Sequence, residues 1–321
     1  MWLTWRAAME HALYGDRGFY LRERPSGHFR TSVSAGDAFA GAILTLLRRV
    51  DADLGHPAHL DLVDIGAGEG ALVSRVLSTA PPELRERLNV TAVDLSPRPD
   101  RLPEHITWAT RIPDEITGLA VANEWLDNIP LDVAEQTADG PRLVMVDTGS
   151  GEERLGEPPQ PADAQWLARW WPLPRVGARA EIGRARDAAW TAVLVRLARG
   201  LAVAIDYAHP VDNRPLCGTL TGYRDGSVVP PIPDGTCDIT AHVALDACAA
   251  AGEQAGAIST RLSTQRDALR ALGITGARPP IDLASTDPAG YLRALARCTQ
   301  EAELIAPHGL GGFGWLEQGT R

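Results

Sequence analysis

Lysine is missing from this sequence: every one of the 31 Lys+Arg positions is an arginine. Codon usage in a GC-rich genome is the ordinary cause, but the absence still removes lysine as a candidate catalytic base. Cysteine is sparse, with only Cys217, Cys237, Cys248 and Cys298, none in a C-x-x-C pair. The usual zinc spacings are therefore excluded, and nothing points to a disulfide framework. The 8 histidines show no H-E-x-x-H or similar ligand pairing, so no metal is expected. No apolar run approaches the roughly 18 residues that a membrane helix needs. The opening, Met1 to Tyr14, lacks a basic segment followed by an apolar stretch, so a secretory leader is not expected and a cytoplasmic home is. Positive charge is also in short supply. A net charge of −10 argues against a nucleic-acid partner, which wants a basic face, and is compatible with a cationic substrate.

The 321 residues, 45% of them hydrophobic, suffice for one large domain with insertions or two modest ones. Trp5, Met9 and Leu13 recur at helical spacing within 1–14, and Phe39, Ile43, Leu46, Leu47 and Val50 mark one face of a helix over about 36–54. Leu60 to Ile65 is nearly continuous in apolar residues, as parallel strands are. A glycine-rich turn follows, then a helix over 71–79 and strands over 88–94, 106–109 and 119–123. Strand, glycine turn, helix, strand is the start of a doubly wound α/β sheet.

Further on, 131–136 and 142–147 read as a hairpin turning at Asp139-Gly140, followed by a helix carrying Trp166 and Trp170. Those tryptophans are expected to pack an inserted helix rather than form a recognition cage. A helix over 184–199 precedes a fifth core strand over 201–206. Proline and glycine crowd 210–235, which reads as a long loop or cap. Helices near 241–251, 264–272 and 288–302 and a last strand near 312–317 complete the reading. The expected architecture is a Rossmann-like, mostly parallel sheet, closing in an antiparallel hairpin. Its organisation is read as a helical cover over 1–56 and a nucleoside-binding domain over 57–321, with insertions near 150–199 and 208–262.

The most informative segment is Asp64-Ile65-Gly66-Ala67-Gly68-Glu69-Gly70. Gly66, Gly68 and Gly70 let the backbone turn sharply and a ligand approach without meeting a side chain. Dinucleotide-binding sheets use G-x-G-x-x-G, with a pyrophosphate on the helix N-terminus. Here the third glycine comes one residue earlier, and Asp64 precedes the first by two. That pattern suits S-adenosylmethionine (SAM), which has no phosphate to cradle but has a cationic amino-acid end for Asp64 to hold. Asp94 ends the next strand, where a carboxylate can accept hydrogen bonds from both ribose hydroxyls. NAD-binding sheets use such an acid too, so Asp94 supports a nucleoside without choosing between them. The spacing of the glycines disfavours a nicotinamide-dependent oxidoreductase. After the fourth strand, Asn123-Glu124-Trp125-Leu126-Asp127-Asn128 places two acids and two amides beside the cofactor edge, where a substrate must sit.

In combination and in order, these segments resemble the MidA-type SAM-dependent methyltransferases, a family that includes the mitochondrial complex I assembly arginine methyltransferase. The resemblance rests on Ala12-Leu13-Tyr14, Gly18-Phe19-Tyr20, Gly27-His28-Phe29-Arg30-Thr31-Ser32, the glycine turn, Asn123-Glu124-Trp125-Leu126-Asp127, Ile205-Asp206-Tyr207, Asp238-Ile239-Thr240-Ala241-His242-Val243, Ser263-Thr264-Gln265 and Leu310-Gly311-Gly312-Phe313. Ala67, Glu69, His28, Asn128, Ala208 and Gly314 depart from the family pattern. The departures bear on the substrate rather than the cofactor. The resemblance implies Thr31 and Asn123 as further cofactor contacts and an arginine of a protein as methyl acceptor; a small molecule stays open, and a homodimer is compatible.

Displacement at a sulfonium needs a nucleophile placed behind the methyl and water kept out. A guanidinium also needs carboxylates to orient it. Glu124 and Asp127 are therefore the expected substrate-side acids, with Asp206 a weaker third. His242, a lone histidine before a valine, reads first as structural. A non-catalytic SAM-binding assembly or scaffold protein is the rival reading.

Overall fold

The computed structural model describes residues 1–22 and 31–320; Gly27 to Arg30 of the motif that ends in Thr31-Ser32 lie outside them. In chain order, β1 (Trp2–Thr4) runs straight into α1 (Trp5–Tyr14), capped by the Thr4 side chain, which accepts from the Ala7 amide. The single-turn α2 (Phe19–Arg22) precedes α3 (Asp37–Asp53), which buries the Phe39, Ile43, Leu46, Leu47 and Val50 face. Next come β2 (Leu60–Ile65), α4 (Ala71–Thr79), the short α5 (Pro82–Arg85), β3 (Leu88–Val93), β4 (Thr107–Ala109) and β5 (Ile116–Asn123). The middle of the chain forms β6 (Asp132–Thr137), β7 (Gly140–Asp147), β8 (Glu153–Leu155), α6 (Pro161–Trp170), β9 (Arg179–Ile182), α7 (Arg184–Arg196) and β10 (Leu197–Asp206). The last third holds β11 (Thr221–Arg224), β12 (Ser227–Val229), β13 (Asp238–Thr240), α8 (Leu245–Gln254), β14 (Ser259–Thr264), α9 (Gln265–Ala271), α10 (Leu283–Thr286), α11 (Pro288–Leu304) and β15 (Gly314–Thr320).

These elements sort into two compact units. The first comprises Met1–Phe29, Glu124–Val195 and Asp206–Ala257; the second Arg30–Asn123, Arg196–Ile205 and Ile258–Arg321.

The second unit is built on a seven-stranded sheet in the order β14-β15-β10-β5-β2-β3-β4. Every pairing from β10 through β5, β2 and β3 to β4 is parallel, whereas β14 and β15 are antiparallel. The expected doubly wound, mostly parallel sheet is present. Strand order reverses at β2, which has β3 on one side and β5 on the other. In such sheets this switch point opens the crevice where ligands bind, at the carboxyl ends of the strands.

The first unit holds two smaller antiparallel sheets, β1-β7-β6-β9 with β8 on β7, and β12-β11-β13. The apolar face of α1, Trp5, Met9 and Leu13, is packed with Leu131, Val133, Val144, Val146 and Ile239. A second cluster joins Trp166, Leu167 and Trp171 to Ala180, Ile182 and Ala247. Each of the Leu, Val, Ile and Met side chains among them contributes about 1.5–3 kcal/mol on burial. Trp166 and Trp171 are thus core residues, and Trp166 also donates to Asp187 at 2.7 Å.

Several boundaries differ from the sequence reading. The helix expected to reach residue 199 stops at Arg196, because β10 begins at Leu197 with a register irregularity between Leu197 and Arg199. The stretch 210–235 is not all loop: β11 and β12 form a hairpin about Asp225-Gly226, both in the left-handed region. Asp-Gly is the residue pair that such a tight turn demands, so that signal was there to read. The helix expected over 1–14 begins only at Trp5, because Trp2–Thr4 pair with β7, and the short β1, β8, β9, β13 and β14 were not anticipated. The helix expected from 241 starts at Leu245, because β13 and the bridge from Ala208 to Val243 claim the residues before it.

Candidate functional site

In the second unit, β2 ends in the glycine turn. Gly66, Gly68 and Gly70 have φ of +73°, +57° and +70°, values that side chains resist. Gly66 and Ala67 donate to the Val93 carbonyl at 2.9 and 3.1 Å, tying the turn to the end of β3. The Gly68 amide donates to Asp94 Oδ2 at 2.8 Å. The other oxygen, Oδ1, accepts the Ser96 amide at 2.8 Å and the Ser96 hydroxyl at 2.7 Å. Sequence reasoning picked out Asp94 but missed Ser96, although Asp-x-Ser is a familiar side-chain-to-backbone turn. Asp64 is buried beneath this turn. Burial, and secondarily the Asp94 charge, push its carboxyl up to about 7.

A Cβ built on Gly68 meets nothing within 4 Å, so that face of the turn is open. One built on Gly70 falls 2.5 Å from Leu102 Cδ1, so a side chain there would displace the end of that leucine. Asn123, the last residue of β5, is buried and in register with Ile205 of β10, one step beyond the pairing of Ala122 with Ile65. Thr31 is engaged locally: it donates its amide to Ser34 Oγ at 2.8 Å and accepts the Ser34 amide on Oγ1 at 3.1 Å. The structure thus gathers Asp64, Gly66, Gly68, Gly70 and Asp94 around one turn.

In the first unit, the loop that begins one peptide bond after Asn123 carries two of the three expected acids, Glu124 and Asp127, while the third, Asp206, ends β10. Glu124 adopts φ +52°, left-handed backbone that a residue with a Cβ adopts only under constraint. Residues Leu126–Asn128 form a single 3-10 turn. Asp206, fully buried, accepts the Leu126 and Asp127 amides on Oδ2 at 2.9 and 3.2 Å and the Tyr207 amide on Oδ1 at 3.0 Å. Burial, then the charge of Asp127, raises its pKa far above the carboxylate range. Three backbone donors make Asp206 a support for the loop rather than a group held out to a ligand.

Asp127 Oδ2 accepts the Thr240 hydroxyl at 2.7 Å, while its Oδ1 has no hydrogen-bond partner among the described residues. Burial raises its pKa too, against the opposing Thr240 bond and the Arg186 charge. Arg186, itself buried, donates to the carbonyls of Asp127 and His242. Behind the turn, Asp238 accepts Tyr20 at 2.7 Å and Asn128 at 3.2 Å; its carboxyl is pushed up to about 7, first by burial. Thr240, Arg186 and Asp238 are parts of this cluster that sequence reasoning did not single out. Thr240 and Asp238 lay within a quoted motif, but a buried arginine on α7 carries no local signal. His242 stacks on Tyr207 at 5.5 Å, and burial lowers its pKa, which keeps it neutral.

Comparison with known proteins decides the family. Residues 40–263 match the family model described as "Putative S-adenosyl-L-methionine-dependent methyltransferase". That is more than half the chain. The chain belongs to this methyltransferase family.

A structure from Burkholderia thailandensis with S-adenosyl-homocysteine bound is similar over 100% of this chain and 88% of that one, at TM-score 0.81 and 26% identity. A native structure of a protein of the same superfamily from the same organism matches at 27% identity, also with TM-score 0.81, over 100% of this chain and 87% of that one. No curated protein matches. The methyltransferase has a Rossmann-like fold, and SAM is its cofactor. The residues present fit that cofactor: an open glycine face, a strand-end carboxylate with lone pairs left for ribose hydroxyls, and the Asp64 acid beneath the turn. Among the described residues no helix is long and apolar enough to cross a membrane, and no group of three or more His, Cys, Asp or Glu could hold a metal ion.

Proposed function

We propose that this methyltransferase modifies a guanidinium nitrogen of an arginine in a protein substrate. The observation that carries the reading is Asp127, a buried carboxylate with one oxygen held by Thr240 and the other without a hydrogen-bond partner among the described residues. Buried acids with raised pKa are unfavourable as anions unless a cation joins them. Asp127, Asp206 and Asp238 are all in that state, and among the described residues Arg186 is the one arginine buried with them. A guanidinium supplies positive charge and a planar fork of donors matched to carboxylates.

The bound cofactor supplies an electrophilic methyl on a sulfonium. Glu124 and Asp127 orient the guanidinium and draw its positive charge toward the nitrogens they bond, leaving the attacking nitrogen richer in electrons. Asp206 holds their loop in place. Asp64 pairs with the cationic amino-acid end of the cofactor, and Asp94 with the ribose. Thr31 and Asn123 are assigned further cofactor contacts on the strength of the family resemblance.

The test is transfer of a radiolabelled methyl to proteins of a cell lysate, with the modified residue identified by mass spectrometry, alongside calorimetry with SAM. Label on arginine, lost in Glu124→Gln while SAM affinity stays within a few-fold, is the expected result. Label on another residue type, or SAM binding lost in that variant, overturns the reading. SAM binding with no transfer to any protein favours the scaffold or the small-molecule alternative.

A further inference from the structure

A cavity of about 470 Å³ is lined wholly by residues of the first unit, none of them from the Glu124–Asp127 loop. That volume is in the range of small-molecule sites. Trp5, Leu220, Pro231 and Ile232 give it apolar walls, and the exposed Ser150 and Cys217 stand at its rim.

Its polar lining is unequal in charge. Arg179 is already engaged, donating from Nε to Glu135 at 2.8 Å and from Nη1 to Glu153 at 2.6 Å. Glu153 is satisfied on both oxygens, because Trp5 Nε1 donates to the other at 2.8 Å. Glu181 is different. It is 2% exposed, and its Oε1 accepts the amides of Thr219 and Leu220 at 2.5 and 3.0 Å. Its Oε2 has no hydrogen-bond partner among the described residues. The turn that grips it admits no side chain at Gly218, where a Cβ would sit 2.5 Å from Oε1 and φ is +73°. Glu181 is therefore a carboxylate fixed by backbone and left with one acceptor.

We propose that this cavity binds a small organic monocation, a guanidinium or ammonium on a short apolar stem, with the charged end donating to Glu181 and the stem against Trp5 and Ile232. Two lining carboxylates, Glu153 and Glu181, against the one lining guanidinium of Arg179 disfavour an anion. A buried acceptor without a partner is costly, and a charged donor on an apolar body offsets that cost best. Burial pushes the Glu181 carboxyl up, which a bound cation would reverse. The proposal is independent of the methyl acceptor.

Cys217 reports occupancy directly, since the other three cysteines are buried. The whole protein is alkylated with iodoacetamide, and the Cys217 rate is followed by mass spectrometry with n-butylguanidinium, n-butylammonium or 1-butanol present. Either cation should slow the rate several-fold and saturate, while the alcohol should not. Glu181→Gln keeps an acceptor for Thr219 and Leu220, and should weaken protection roughly tenfold or more. Ser150→Trp, a rim change that leaves the core intact, should abolish the cation effect even if the first variant does not fold. Equal protection by the alcohol, no protection by either cation, or protection unchanged in both variants overturns the proposal.

Discussion

Asp206 and Asp127 are bonded through backbone rather than through their acids: Asp206 Oδ2 accepts the Asp127 amide at 3.2 Å, and no side-chain bond joins the two carboxyls among the described residues. One residue thus holds the loop, while the other keeps an oxygen without a hydrogen-bond partner among the described residues. Under the proposed function this separates stability from catalysis and can be measured.

Asp206→Ala strands the buried amides of Leu126 and Asp127 and the part-buried amide of Tyr207. A loss of about 2–4 kcal/mol is expected, read as a lower urea midpoint at unchanged slope. Asp206→Asn offers one carbonyl oxygen instead of two carboxylate oxygens and should lose roughly half as much. A variant as stable as the parent would show that Asp206 does not support the loop.

Thr240→Val removes the hydroxyl bonded to Asp127 and keeps its shape. Transfer should fall about 10- to 100-fold, while SAM affinity changes little, because the unsupported carboxylate costs about 1–3 kcal/mol of orientation. Activity assay and calorimetry on the same preparation separate the two effects. An unchanged turnover would dismiss Thr240 as a positioning residue.

Gly68→Ala and Gly70→Ala both force a side chain into left-handed backbone, at about 1–2 kcal/mol each. They should differ in kind. At Gly70 the new methyl meets Leu102 and unfolding comes earlier, whereas at Gly68 it projects into open space and blocks the ligand. At least a tenfold loss of SAM affinity in Gly68→Ala, with the larger drop in Tm in Gly70→Ala, is the expected pattern. The reverse ordering would move the cofactor off this turn.

Asp64 gives a pH signature. Its folded pKa is about 7 and its unfolded value lies near 4, so between these the native state holds a proton that the unfolded chain has lost. Its contribution is fully present below about pH 4 and falls as pH rises through 7, by about 4 kcal/mol in all. Asp238, also near 7, and Asp187, near 6, act in the same direction, so only part of the slope belongs to Asp64. Asp64→Asn should be more stable than the parent at pH 8 and similar at pH 4, by urea unfolding. SAM affinity should rise with pH through 7 in the parent and stay flat in the variant. Identical pH profiles would remove Asp64 from both roles.

The legible parts of this protein were the local ones. Five residues span Gly66 to Gly70, and the apolar runs of β2 and β3 need no knowledge of the rest of the chain. The same holds for the apolar stripes of α1 and α3, because helical and strand periodicities are properties of a short window. Short strands such as β8 and β9 escaped because three or four residues cannot establish a period, and their pairing comes from neighbours distant in sequence.

By itself the sequence determined that a glycine turn with an acid on either side follows a buried strand, since spacing along the backbone is covalent and cannot be rearranged. Tertiary structure alone decided what each acid does. Asp206 and Leu126 are 80 residues apart, Asp127 and Thr240 are 113 apart, and Tyr20 and Asp238 are 218 apart. Whether a carboxylate faces a ligand or a row of backbone amides depends on which distant donors folding brings to it. A residue's own neighbours in sequence do not encode that.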